Sequence, residues 1–175
     1  VSNVPSANGG AGDLTLTTTG ASSDLILASS MAGNTVTLEA GRNISQTAGA
    51  ITATTLTGNS VGSTTLNGAN KIGTLGSFTA ANFALTNAQA LSVSGAVDGG
   101  ASTALTTTAG DLAINGAVKG TATTLTSAGA ISEGTGGVIT AGTLNGSSVG
   151  STTLNGANKI GMLGSFTAAN FALTN

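Results

Sequence analysis

The sequence predicts an all-β protein: a parallel β-helix, or β-solenoid, of eight or nine coils with about 20 residues in each. Three observations predict this fold: a long internal repeat, a spacing of aliphatic residues near 20 positions, and local alternation of apolar and polar side chains. Three short strands and three turns need about 20 residues, so equivalent side chains are expected to stack in columns along the rod.

The internal repeat is the clearest of the three. Residues 50–87 return at 138–175 with only five differences among 38 paired positions. Weaker matches extend upstream at an offset of 87, for example between 24–25 and 111–112. Fidelity of this kind is typical of stacked repeat units. We therefore expect a single continuous solenoid over 1–175, with one copy of the repeat at 1–87 and a second at 88–175.

The shorter spacing defines the coil. Aliphatic residues recur at steps of 19 to 21 positions. The predicted columns are Ile51, Ile72, Val93 and Ile114; Val97, Val118 and Ile139; Leu66, Leu85, Leu105, Leu125 and Leu144; and Leu16, Val36, Leu56 and Leu75. A right-handed solenoid is predicted, since crossovers between parallel strands are almost always right-handed.

Alternation within each coil predicts the strands. Runs such as Leu112-x-Ile114 place aliphatic side chains on one face and Ser, Thr or Asn on the other. The runs end at Asn-Gly, Gly-Gly or Ala-Gly steps. The Asn-Gly steps at 67–68, 115–116, 145–146 and 155–156 are predicted to supply turn residues with positive φ.

The composition limits the classes of partner. Charged residues make up 6% of the chain, the net charge is −2, and there are four cations. Those cations are scattered, which argues against a nucleic-acid partner. The sequence has no apolar run near the roughly 18 residues of a spanning helix, so no membrane span is predicted. The lack of Cys suits a protein that crosses a cell envelope unfolded.

The residue types also argue against catalysis. The chain has no His and no Cys, which removes Ser-His-Asp and Cys-His nucleophiles and the usual zinc ligands. The prediction is that the chain is not an enzyme and has no catalytic residue, cofactor site or metal site. Six carboxylates remain: Asp13, Asp24, Glu39, Asp98, Asp111 and Glu133.

None of these carboxylates is predicted to form a reactive pair. The separations from Asp13 to Asp24 and from Asp98 to Asp111 are 11 and 13 residues, neither of which is one coil. Asp24 and Asp111 hold equivalent places in the two copies, which indicates a role at a turn or at the start of a strand. Gly99-Gly100 lacks the following Gly-x-Asp of calcium-binding β-rolls.

Phe78 and Phe83, with their equivalents Phe166 and Phe171, are expected in the core rather than on a ligand-stacking surface. Asn67, Asn70, Asn82 and Asn87 and their counterparts are expected to form turns and stacked amide ladders. Thr-rich runs at 17–19, 54–55, 64–65, 106–108 and 123–124 are expected to face outward. The alternative function is a binding module, for ice or for a glycan, that uses this Thr- and Asn-rich surface. The sequence points to no particular ligand-binding residue.

The stretch SVGSTTLNGANKIGTLGSFTAANFALTN at 60–87, followed by AQALSVSGAVDGG, resembles the repeats of filamentous-haemagglutinin-like bacterial exoproteins. So does LTTTAGDLAINGAV at 105–118. The resemblance implies a right-handed β-helix, export by two-partner secretion, and a role as an adhesin or surface fibre outside the bacterial cell.

The amino-terminal secretion domain of that class carries an Asn-Pro-Asn signature, and the one proline here is Pro5. We therefore expect a window of a longer array, or the repeating unit of a fibre. The expected partners are other copies of the repeat stacked head to tail, and a host or surface glycan or protein.

Overall fold

The computed structural model describes residues 2–4 and 6–175, and every regular element among them is a β-strand. All of the strand pairings that it contains are parallel. The all-β parallel solenoid is therefore confirmed, while its handedness stays a prediction. The strands are β1 (Ser2–Val4), β2 (Ala7–Asn8), β3 (Leu14–Thr18), β4 (Leu25–Leu27), β5 (Met31–Ala40), β6 (Ile44–Gln46), β7 (Ile51–Ser60), β8 (Ser63–Thr79), β9 (Asn82–Asn87), β10 (Leu91–Val93), β11 (Val97–Asp98), β12 (Ser102–Thr107), β13 (Leu112–Ile114), β14 (Ala117–Ser127), β15 (Ile131–Glu133), β16 (Val138–Ser148), β17 (Thr152–Leu154), β18 (Lys159–Thr167) and β19 (Phe171–Leu173).

One ladder of paired strands passes through every coil, and we call it the first face. Its paired residues are Ser2, Leu25, Ile44, Thr64, Phe83, Thr103, Thr123, Leu144 and Leu163. Successive partners lie 19 to 23 residues apart in the chain, so eight turns separate the first from the last. The predicted coil length is confirmed. Adjacent coils are spaced by about 4.8 Å, which makes the rod about 40 Å long.

Two further ladders complete each coil, and they rearrange at β8. In the amino-terminal half one ladder passes through Met31 and Ile51 and the other through Leu56 and Leu75. Two strands of the next coil then cover the end of β8: β10 pairs at Leu75 and β11 pairs at Phe78. The ladders continue from β10 to β13, β15, β17 and β19, and from β11 to β14, β16 and β18.

The two copies of the repeat are related by a rotation about the rod as well as by a translation. Ile44 of the first copy lies on the first face, whereas its equivalent Ile131 lies in the ladder that starts at β10. Leu56 lies outside the first face, whereas its equivalent Leu144 lies on it. A repeat of 87 or 88 residues is therefore about four and a third coils of about 20 residues, and the second copy is turned by one of the three faces.

Aliphatic side chains fill the inside of the rod along its whole length. Fully buried examples on the first face are Leu66, Leu105 and Leu125. Full burial of one such side chain contributes roughly 1.5–3 kcal/mol. Because each coil gives several of them, the stability of the rod is expected to accumulate by contacts between neighbouring coils.

The predicted columns hold in part. Val97, Val118 and Ile139 are paired in register, as are Leu66, Leu85, Leu105 and Leu125. However, Leu125 pairs with Gly146 rather than with Leu144, and Leu16 pairs with Leu38 rather than with Val36.

The column through Ile51, Ile72 and Val93 was wrong at two steps. Ile72 pairs with Ala53, and Val93 pairs with Leu75, although the step from Val93 to Ile114 is correct. Because coil lengths vary by one or two residues, a fixed spacing selects a buried residue of the right strand face but not always the true partner.

The Asn-Gly prediction was also wrong. Among the described residues, positive φ occurs at Gly10, Gly49, Gly100 and Gly110, which lie in Gly-Gly or Ala-Gly steps. The glycines of the Asn-Gly steps instead permit close approach between coils. A Cβ added to Gly146 would lie 2.2 Å from the carbonyl oxygen of Leu125, and one added to Gly156 would lie 2.3 Å from that of Gly137.

The four phenylalanines form two equivalent pairs, and the first pair is in the core as predicted. Phe78 and Phe83 are buried, with ring centroids 4.7 Å apart. Phe78 lies opposite Gly58, where a Cβ would come within 2.9 Å of the ring. The second pair, Phe166 and Phe171, has ring centroids 4.8 Å apart, but Phe166 is only partly buried and Phe171 is 39% exposed, so the expected core position was wrong for Phe171.

Across residues 2–4 and 6–175 there is no helix with the length and apolarity needed to span a membrane.

Candidate interaction surfaces

Asp24 and Asp111 hold the start of a strand against the turn of the next coil, as their equivalent positions predicted. Asp24 Oδ1 accepts a hydrogen bond from the backbone N–H of Asn43 at 3.1 Å, and Asp111 Oδ1 accepts one from Ala130 at 2.7 Å. The Arg42 guanidinium also donates to Asp24 from Nε at 2.7 Å and pairs with the second carboxylate oxygen. These Arg42 bonds, with those from Asn43, hold the pKa of Asp24 well below its ordinary value.

Asp98 and Asp13 also bind the neighbouring coil. Lys119 Nζ donates to Asp98 Oδ2 at 2.7 Å, and the Gly100 N–H donates to Oδ1 at 2.9 Å, so the pKa of Asp98 is lowered. The backbone N–H of Thr35 donates to Asp13 Oδ1 at 2.9 Å and lowers the pKa of that carboxyl too. These carboxylates join one coil to the next.

No metal-binding cluster of three or more Asp and Glu side chains occurs within residues 2–4 and 6–175. The carboxylates described above are instead spread along the rod, each beside its own coil junction.

Buried asparagines form an amide network that the sequence indicated only as stacked amides. Asn70 and Asn87 are paired in register and fully buried. Asn70 Oδ1 accepts from the backbone N–H of Ile51 at 2.7 Å, and its Nδ2 donates to the carbonyl of Thr86 at 3.0 Å. The Asn87 side chain accepts a hydrogen bond from the Ile72 N–H at 2.8 Å and donates one to the Ile72 carbonyl at 2.9 Å.

The second copy repeats this network. Asn158 Oδ1 accepts from the Ile139 N–H at 2.7 Å, and Asn175 bonds the N–H and the carbonyl of Ile160 at 2.6 and 3.0 Å. These side chains take the place of backbone partners where a strand turns. Asn82, by contrast, bonds outward, since its Nδ2 donates to Ser63 Oγ at 3.2 Å. The asparagines thus act in turns and coil junctions, as expected.

Gln46 and Glu133 are the two members of this network that differ between copies. Gln46 Oε1 accepts from the Gly68 N–H at 2.9 Å, and its Nε2 donates to Asn70 Oδ1, also at 2.9 Å. Glu133 Oε2 accepts from the Gly156 N–H at 2.7 Å and from Asn158 Nδ2 at 2.9 Å. Within the described part of the chain, the buried Glu133 Oε1 has no hydrogen-bond partner.

The Thr-rich runs divide between the inside and the outside of the rod. Thr107 was expected to face outward but is 1% exposed, and its hydroxyl donates to Ser127 Oγ at 3.1 Å. Thr64 and Thr123 are buried as well. Alternation explains the division, because a run of three threonines must send its members to both faces of a strand.

An outward column of hydroxyls does run along the first face. It consists of Thr86, Thr106, Thr126, Ser147 and Thr167, which are paired coil by coil. The neighbouring outward column is less uniform and consists of Ala84, Ala104, Thr124 and Asn145. This surface is the candidate for the alternative, ligand-binding function.

A shallow open groove of about 450 Å³ lies on another part of the rod. Small side chains line its floor, and Lys71 and Gln89 are its longest polar side chains. The groove exists because Gly33, Ala53 and Gly73 leave little side-chain volume there.

The coil of residues 162–175 presents exposed apolar side chains next to the core. Leu163 is 44% exposed and Phe171 is 39% exposed, whereas their equivalents Leu75 and Phe83 are 0% and 1% exposed. The cause is the coil of residues 91–107, which covers the first copy at this place. The coil of residues 162–175 therefore presents an uncovered apolar surface in this structure.

Comparison with known proteins finds no match among family models, curated proteins or solved structures. The fold and the surfaces described above are therefore the observations from which a function is inferred.

Proposed function

We propose that this chain is a structural repeat segment of a secreted bacterial surface fibre or adhesin stalk, and that its segments associate end to end. Its role is that of a rigid spacer, which holds the parts of the fibre on either side of it a fixed distance apart. It needs no reaction and no cofactor for this role.

The observation that carries the proposal is the unbroken ladder of the first face. The ladder passes from the first copy to the second through Phe83, Thr103 and Thr123 with regular parallel pairing. Two repeats joined in this way form one rod rather than two domains on a linker. Added repeats would lengthen the rod without changing its width.

The surface supports the same role. Ser, Thr, Asn and Gly are abundant in the chain. Within the part of the chain that the structure describes, two ion pairs, Asp24 with Arg42 and Asp98 with Lys119, neutralise four of the ten charged side chains. A rod with few free charges and small side chains is suited to be a spacer that makes few nonspecific contacts. The secreted and surface location follows from the resemblance to filamentous-haemagglutinin-like repeats at 60–87 and 105–118.

Small-angle X-ray scattering from the full chain and from a chain extended by a further copy of 88–175 tests the proposal. We expect an unchanged cross-section and a gain in length of about 21 Å, from about four and a third coils at about 4.8 Å each. A gain in cross-section, or a flexible profile, would contradict it. Immunogold labelling of intact cells of the source bacterium tests the location, with labelling only after lysis as the contrary result.

The second candidate is a binding module for ice or a glycan, and the hydroxyl column through Thr86, Thr106 and Thr126 favours it. Thermal hysteresis or binding on a glycan array is expected if this face is functional. Thr106→Lys, which places a charge in the middle of the column, should then abolish the activity while the fold is retained. An activity that Thr106→Lys leaves unchanged would exclude this face.

A further inference from the structure

We infer that the amino-terminal coil (residues 2–4 and 6–18) of one copy of this chain docks on the carboxyl-terminal coil (residues 162–175) of a second copy. The register is the one found inside the chain between residues 74–87 and 91–107. The inference deepens the proposed function and rests on it: it names the two coils that meet when two copies associate and the strand pairs that join them.

The carboxyl-terminal coil is the equivalent of a coil whose cover is known. Residues 162–175 repeat residues 74–87 with one difference, Met162 in place of Thr74. In the first copy that coil is covered by β10 and β11 over 74–79 and by β12 over 82–87. The interior of the chain therefore shows which kind of coil fits the exposed surface.

The amino-terminal coil has the same strand pairings as the covering coil, residues 91–107, in all three of its ladders. Val4 pairs with Leu27 as Val93 pairs with Ile114, and Leu27 and Ile114 are equivalent residues of the two copies. Val4 is thus the structural counterpart of Val93, at an offset of 89.

The other two ladders give the same result. Ala7 leads through Met31 to Ile51, as Val97 leads through Val118 to Ile139. Leu16 leads through Leu38 to Gly58, as Leu105 leads through Leu125 to Gly146. Ile51 and Gly58 are equivalent to Ile139 and Gly146 in the repeat. The coil 2–18 is thus the counterpart of 91–107, although the two sequences have diverged.

The register between two chains follows by transfer. Val93 lies over Leu75, Val97 over Phe78, Thr103 over Phe83 and Leu105 over Leu85. At the junction of two chains these pairs become Val4 over Leu163, Ala7 over Phe166, Leu14 over Phe171 and Leu16 over Leu173. Each pair brings an apolar side chain onto one that is exposed or half-buried in the single chain.

Charge does not oppose this contact. The coil 162–175 contains no charged side chain, so Asp13 of the incoming coil meets no carboxylate there. Its counterpart position, Ser102, lies over Asn82, so Asp13 is placed over Asn170. An amide is a suitable donor to a carboxylate.

Cysteine pairs test the register directly, because the natural chain has no Cys. Thr17 and Thr174 are the counterparts of Thr106 and Thr86, which are paired and face outward. In the double variant Thr17→Cys/Thr174→Cys, the Cα atoms at position 17 of one chain and position 174 of the adjoining chain lie about 4.8 Å apart. This distance is within the Cα–Cα range that a disulfide spans. Mild air oxidation of the folded protein should give a ladder of multimers on a non-reducing gel.

The matched control is Thr17→Cys/Ala172→Cys, which moves one thiol two residues along the same strand face. Its backbone separation becomes about 8 Å, beyond the roughly 7 Å limit for a disulfide. We expect multimers of Thr17→Cys/Thr174→Cys to form at least about tenfold faster. Thr86→Cys/Thr106→Cys is the internal standard, since it should close a bridge within one chain.

Three outcomes separate the inference from the proposed function. Multimers specific to Thr17→Cys/Thr174→Cys support the inference. Equal rates for the two double variants, or no multimers while the Thr86→Cys/Thr106→Cys bridge closes, overturn the inference and leave the rod intact. Failure of the internal bridge together with loss of the β-sheet circular dichroism signal contradicts the solenoid and the proposed function with it.

Discussion

Gln46 and Glu133 hold the same position in the two copies of the repeat, but only Gln46 satisfies both of its polar atoms. Gln46 Nε2 donates to Asn70 Oδ1 at 2.9 Å and to the Gly49 carbonyl at 3.1 Å. In the second copy, Glu133 Oε1 is buried with no partner among the described residues. The second copy therefore carries a polar defect that the first copy lacks.

Glu133→Gln is expected to stabilise the rod. The amide would supply a donor toward Asn158 Oδ1, the counterpart of Asn70 Oδ1, and a hydrogen bond of this kind contributes about 0.5–1.5 kcal/mol. Urea unfolding measures the change as a higher midpoint. The reciprocal variant Gln46→Glu should lower the midpoint by a comparable amount. A midpoint that falls in Glu133→Gln would show that the two networks are not equivalent.

The inward and outward positions of β12 predict opposite responses to substitution. Leu105 is fully buried, so Leu105→Ala should cost about 2–5 kcal/mol. Thr106 belongs to the outward column, so Thr106→Lys should change the free energy of unfolding by no more than about 0.5 kcal/mol. Thr107 is buried, so Thr107→Lys should also destabilise the fold strongly.

Chemical denaturation of these variants measures the three effects. Tolerance of Lys at 107 together with loss of folding at 106 would mean that the alternation of β12 is reversed.

Acid is expected to destabilise the rod. The folded-state pKa values of Asp13, Asp24 and Asp98 all lie below the ordinary value of 3.8. A lowered folded-state pKa contributes stability that is present above the unfolded-state pKa, and this contribution is lost as the pH falls through the folded-state pKa. The melting temperature should therefore hold from neutral pH to about pH 4 and fall below it.

Asp24→Asn is the matched variant for this prediction, since it retains the side-chain size but removes the charge that pairs with Arg42. Its melting temperature should be lower near neutral pH and should fall less steeply with acid. A melting temperature that rises as the pH is lowered from 4 to 2 would contradict the sign of the effect.

The fold class was predictable from sequence because the signals are periodic. The coil length follows from the spacing of residues such as Val97 and Val118, and the strands follow from alternation such as that of Leu112 and Ile114. Both signals depend on burial, which hydrophobic side chains report directly.

The register and the polar interior were less predictable. Leu125, for example, pairs with Gly146 and not with the predicted Leu144, because the coil length varies locally. A two-residue shift of this kind leaves the hydrophobic pattern intact. The buried roles of Thr107 and Asn70 were missed or only partly expected, since a hydroxyl or amide inside a coil looks like a surface residue in the sequence. The signal that separates buried from exposed residues is whether a residue has an odd or an even position in its strand, because alternate side chains lie on opposite faces.

The inferred register fixes the length that each chain adds. It places the first-face strand β1 of one chain over Leu163, which lies on the first face of the adjoining chain. The first face would then continue from chain to chain, and each chain would add nine coils, or about 43 Å at about 4.8 Å per coil.

Cryo-electron microscopy of the purified 175-residue chain tests the central claim most directly, that the repeat forms a rigid rod that continues from one copy to the next. The account predicts particles of one constant width whose lengths are multiples of about 43 Å, from nine coils per chain at about 4.8 Å each. Compact particles, or fibres whose width varies and whose length has no such unit, would contradict it.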